Sequence, residues 1–166
     1  MEKNEKGIEV KSRFGNCVIP AEDVILFPEG IIGSQDKTQF ALLTIDEETP
    51  FLVLQSLQDE NVCFLLTNPL LFMNDYSFEL SDKDCNLLQA NDKNDIIFLT
   101  ILTIPEGYPE ASHLFLLAPM IINMNKRRAI QIVNPKYEGD KATFLLNLKA
   151  EDSKATSKET DAISAE

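Results

Sequence analysis

Short apolar runs rich in β-branched and aromatic residues, broken by turn residues roughly every ten positions, dominate this chain. That spacing leaves too little room for the crossover helices a parallel sheet needs, so it predicts an antiparallel barrel or sandwich. Residues 8–14 alternate, with Ile8, Val10 and Phe14 on one face and Glu9, Lys11 and Arg13 on the other. Gly15-Asn16 then reads as a two-residue hairpin turn into residues 17–19. Further strands are predicted at residues 24–27, 40–45, 51–57, 62–67, 76–80, 96–104, 114–118, 120–124, 129–133 and 143–148. The run 96–104 is apolar on both faces, which predicts a strand in the middle of the fold, covered on each side.

One helix is predicted. Ser81 is a good N-cap, Asp82 and Asp84 occupy the first turn where the helix dipole favours them, and Ser81-x-x-Asp84 forms a capping box. Cys85, Leu87 and Leu88 supply its apolar stripe. A single helical turn is expected at residues 20–23. The end of the chain differs in kind. From Glu151 onward it consists of Ala, Ser, Thr, Lys, Glu and Asp, with Ile163 the one large apolar residue. Such a segment buries too little surface to offset its ordering entropy. The fold class is therefore mainly β: a single antiparallel β-barrel-like domain over residues 1–149, with one or two short helices, and a disordered acidic C-terminal tail over 150–166.

Charge narrows the function classes. With 27 acidic against 15 basic residues the formal net charge is −12, a field that repels nucleic acid and favours basic partners. The last sixteen residues hold five acids and two lysines, so −9 remains on residues 1–150. Three widely spaced cysteines, Cys17, Cys63 and Cys85, form no C-x-x-C, which excludes zinc-knuckle and thioredoxin-type pairs and suits a reducing compartment. The polar N-terminus has no apolar stretch of the secretory kind. The longest apolar run is far too short to span a bilayer as a helix. A soluble, cytoplasmic protein without membrane contact is expected.

Catalytic signals are sparse. The single histidine, His113, adjoins an apolar strand and has no serine or cysteine motif to serve. No G-x-S-x-G, G-x-x-x-x-G-K or G-x-G-x-x-G occurs. The acidic stretches 46–48 and 92–95 lack the frame of a calcium loop. No catalytic residue, metal ligand or cofactor is assigned. Lys126-Arg127-Arg128 reads either as a solvated turn between strands or as a small contact for an acidic partner. The segment 24–33 carries a strand into a Pro/Gly-rich turn displaying Phe27, Ile31 and Ile32. It reads either as a barrel corner or as an apolar surface for a peptide or helix.

A series of short motifs resembles one family. Phe27-Pro28-Glu29-Gly30-x-x-Gly33 is followed by Phe40-x-Leu42-Leu43 and Pro50-Phe51-x-x-Leu54-Gln55-Ser56. Asn68-Pro69-x-x-Phe72, Asp75-Tyr76-x-Phe78-x-Leu80 and Thr103-Ile104-Pro105 come next, then Leu117-Ala118-Pro119-x-Ile121-Ile122-Asn123 and Gln131-Ile132-Val133. In that order, over residues 8–137, they are similar to the FliW family of flagellar assembly factors. The chain departs from the usual pattern at Ile32 and Ser34, where the family has Pro and Phe, and after Tyr137.

The resemblance implies a β-barrel-like protein that is no enzyme but a binding protein with two partners. These are CsrA, a basic RNA-binding repressor of flagellin translation, and newly made flagellin. Export of flagellin would free the factor to capture the repressor, so translation resumes without direct nucleic-acid contact by the factor itself. A monomer is expected when it is free. The expected contact residues are Asp75, Tyr76 and Phe78 with Leu102, Thr103 and Ile104, and secondarily Phe27 and Ile31. A flagellin-only chaperone, or a hydrolase built on a carboxylate pair, are the competing expectations.

Overall fold

The computed structural model describes residues 7–146; the expected tail lies outside them. The alternation at the start of the chain pairs β1 (Ile8–Val10) with β2 (Cys17–Ile19) as a separate antiparallel hairpin. Its turn is longer than predicted. Val10 pairs with Cys17, which leaves residues 11–16 as a loop. Ser12 is the cause: its hydroxyl accepts from the Phe14 amide and its carbonyl accepts from the Gly15 amide, an alternative to the strand ladder.

The other strands form one mixed sheet. They are β3 (Ile25–Leu26), β4 (Gln39–Thr44), β5 (Leu52–Ser56), β6 (Cys63–Thr67), β7 (Ile96–Thr103), β8 (His113–Asn123), β9 (Arg128–Gln131) and β10 (Thr143–Leu145). Their order is β10-β8-β7-β6-β5-β4-β3-β9, and a further β8–β9 pairing closes the sheet into a ring. The expected mainly β, barrel-like domain is observed, with one correction to its antiparallel character. β3 and β9 run parallel and meet at a single pairing, Leu26 with Arg128, so the ring is narrowly seamed there.

Two predicted strands, 114–118 and 120–124, are the two halves of β8. Opposite Leu99 and Ile101 of β7 stand Met120 and Phe115, so residues 116–119 bulge out of register. Pro119 falls in that bulge, where a residue without an amide hydrogen costs the ladder nothing. The predicted strand 76–80 is irregular, for reasons given below.

Inside the ring Ile25, Phe27, Phe40, Leu54, Leu66, Met120 and Ile122 form the principal core. On the outer face Leu43, Val53, Leu65 and Leu102 lie side by side across β4 to β7, beside Leu114 of β8. Gly30 shapes the turn after β3: its φ is +69°, and a Cβ there would stand 2.4 Å from the Gln35 carbonyl oxygen. The turn folds Ile31 back into the core through an Ile31–Ser34 bridge.

The helix α1 (Asp82–Leu88) has the predicted capping box: the Ser81 hydroxyl accepts from the Asp84 amide, and the Asp84 carboxylate accepts from the Ser81 amide. Its other end is capped by the sheet. Asn123 Nδ2 donates to the carbonyls of Leu88 (3.0 Å) and Gln89 (3.3 Å), and Arg128 Nε donates to that of Leu87 (2.7 Å). Asn123→Ala is expected to cost about 1–2 kcal/mol by leaving buried carbonyls without donors. A lower urea midpoint at unchanged slope would register it.

Candidate protein-contact surface

After a turn at residues 72–75, residues 76–80 cross the outer face of the sheet as a strap without ladder pairing. Tyr76 fastens it. The phenol donates to the Leu116 carbonyl at 2.8 Å, in the β8 bulge, and accepts from Asn134 Nδ2 at 3.5 Å. The same amide donates to the Ser77 carbonyl at 2.9 Å. These side chain–backbone bonds replace a strand partner. Burial pushes the Tyr76 phenol up to about 12, opposed by the Asn134 bond and aided weakly by Tyr137.

Around Tyr76 the rings gather. Tyr137 stands 4.8 Å from it, Phe98 6.1 Å and Phe78 6.4 Å, and Phe78 meets Phe98 edge-on at 4.9 Å. Beyond Phe78 the strap leaves a cavity of about 540 Å³ lined by Phe78, Glu79, Leu80, Cys85, Ile96 and Phe98. Apolar walls dominate it, while Glu79, Asp75 and Asp82 are exposed along the strap and the start of α1.

The expected contact residues divide. Tyr76, Phe78, Leu102 and Ile104 join one apolar cluster, whereas Phe27 and Ile31 belong to the ring interior. Tyr76, Leu102, Phe27 and Ile31 are each at most 5% exposed and offer a partner no side-chain surface. Asp75 and Thr103 are exposed, and Phe78 and Ile104 are half-buried. Leu80, Cys85, Ile96 and Phe98, which complete the cavity, were not expected there. Ile96 and Phe98 alternate in sequence, but a run apolar on both faces conceals which face is open.

Structure engages two of the three basic side chains. Arg127 pairs with Asp23 at 3.3 Å and Arg128 caps α1, whereas Lys126 is exposed and only its backbone amide is held, by Asn123 Oδ1. His113 contacts the Ala111 carbonyl through Nδ1. Among the described residues no group of three or more His, Cys, Asp or Glu could hold a metal, and no helix is long and apolar enough to cross a membrane.

The family model for FliW protein matches residues 9–143. The flagellar assembly factor FliW of Pseudothermotoga lettingae is 42% identical over 74% of this chain and 78% of its own length. That of Bacillus subtilis is 38% identical over 72% and 82%. A crystal structure of the flagellar assembly factor FliW superposes with a TM-score of 0.76 at 28% identity, covering 86% of this chain and 99% of that one. With the mainly β ring, these matches show that the chain belongs to the FliW family of flagellar assembly factors.

Proposed function

We propose that this flagellar assembly factor acts in the cytoplasm by stoichiometric protein binding, not by turnover. Its partners are a basic RNA-binding repressor of the CsrA type, whose hold on the flagellin message it relieves, and flagellin itself. Family membership carries this reading. The acidic surface supports it, since a net charge of −12 steers a basic partner toward the molecule. The apolar cavity beside Phe78 supports it too, because a buried apolar anchor sets residence time where rim charges set encounter rate.

The test is a titration of purified protein into a complex of repressor and flagellin leader RNA. Release of RNA is expected, and none at saturating protein would overturn the proposal. Pull-downs with each partner alone separate this reading from a flagellin-only chaperone. Leu80→Asp, which places a charge in the cavity wall, is expected to weaken partner binding about 10- to 100-fold through faster dissociation. Glu79→Lys should instead slow association, with the difference vanishing at high salt.

A further inference from the structure

The β1–β2 hairpin belongs to a sheet of its own and rests on the ring without ladder bonds to it. Its loop, residues 11–16, sets Phe14 on the outer apolar row. Cavities flank Phe14 on both sides: one of about 300 Å³ bounded by Leu43, Ile45 and Val53, and one of about 290 Å³ bounded by Cys63, Leu65 and Leu102. A ring with empty space on both sides forfeits packing contacts that hold a core aromatic in place. Gly15, with φ +110° and nothing within 4 Å of a Cβ position, gives the loop backbone freedom.

The charges around this plug are ordered. Arg13 Nη2 donates to the Asn61 carbonyl at 3.4 Å, and Lys11 shares a polar hollow with Asp59 and Glu60. At the other end Ile45 leads into the exposed acids Asp46, Glu47 and Glu48. The loop is thus a basic-aromatic sequence, Lys11-Ser12-Arg13-Phe14, laid over an apolar groove with an acidic rim.

We infer that residues 11–16 form an autoinhibitory lid, whose Phe14 occupies a docking groove for a partner protein segment of the same chemistry: a large aromatic residue preceded by basic ones. Lifting the lid joins the two cavities along β4 to β7 and removes Lys11 and Arg13. The acids are then left facing the groove, and a basic segment satisfies them. This surface is separate from the cavity beside Phe78, and its test needs neither repressor nor flagellin.

Cys63 beneath the lid and Cys85 on α1 are both half-buried, so alkylation by iodoacetamide, mapped by mass spectrometry, reports on each separately. Phe14→Ala is expected to speed alkylation of Cys63 about tenfold while leaving Cys85 within about twofold. A millimolar peptide of residues 11–16, acetylated and amidated, should restore protection, more weakly at raised salt, and the same peptide with alanine for its phenylalanine should not. Arg13→Ala, which keeps the plug but removes its bond to Asn61, should speed Cys63 by a smaller factor and covers the case in which Phe14→Ala does not fold. Unchanged Cys63 rates, an equal rise at Cys85, or equal protection by both peptides would overturn the lid. A concentration-dependent dimer of Phe14→Ala would overturn the partner segment by making a second copy the occupant.

Discussion

Phe27→Ala is expected to lower the stability of the domain by about 3–5 kcal/mol while leaving partner affinity of the folded fraction unchanged. Phe27 is fully buried inside the ring and meets Phe40 edge-to-face at 5.1 Å. Its amide donates to the Thr38 carbonyl at 2.8 Å, which fixes the chain beside β4. Truncation removes the ring's transfer free energy and leaves a cavity among Ile25, Phe40 and Leu54 that a closed ring of strands collapses poorly. Against a usual domain stability of about 5–15 kcal/mol the loss is large. Urea unfolding measures it, and binding at low temperature, where the variant is folded, measures the rest. A loss of affinity at undiminished stability would show instead that Phe27 is a contact residue.

Much of the architecture is legible in the sequence because it is local. Alternating runs give β4, β5 and β6 nearly to the residue, and Ser81 and Asp84 give the start of α1. What is not legible depends on distant partners. The ring closes through one Leu26–Arg128 pairing some hundred residues apart in sequence, and no local pattern encodes a parallel contact of that kind. Pro119 reads as a break between strands, yet the bulge at 116–119 absorbs it.

The candidate site shows the same division. Phe27 and Ile31 look displayed in a Pro/Gly-rich turn, but Gly30 reverses the chain tightly enough to tuck both inward and leave Ile32 outside at 54% exposure. The alternation of Tyr76 and Phe78 suggests a ladder strand. Asn134, far along the chain, supplies the bonds that make an unladdered strap possible instead. Residue type marked these positions as apolar; only the fold decides which of them a partner can reach.

Tyr76 gives that strap a pH signature. Its phenol is held neutral to about 12 in the fold, whereas in the unfolded chain it ionises near 10. A raised folded-state pKa means the contribution is fully present below pH 10 and is lost as pH rises through 12, because the unfolded state gains the phenolate first. The loss across that window is on the order of 2 kcal/mol. Tyr76→Phe removes the bond to the Leu116 carbonyl, so at neutral pH it is expected to be less stable by about 1 kcal/mol. It carries no ionisable group there, so the deficit should shrink above pH 10 and reverse before pH 12. Every other ionisable group is common to both proteins, so the difference between two urea series isolates this one side chain. A difference that stays constant from pH 8 to pH 12 would mean the phenol is not sequestered, and the strap would then be open to solvent at its anchor.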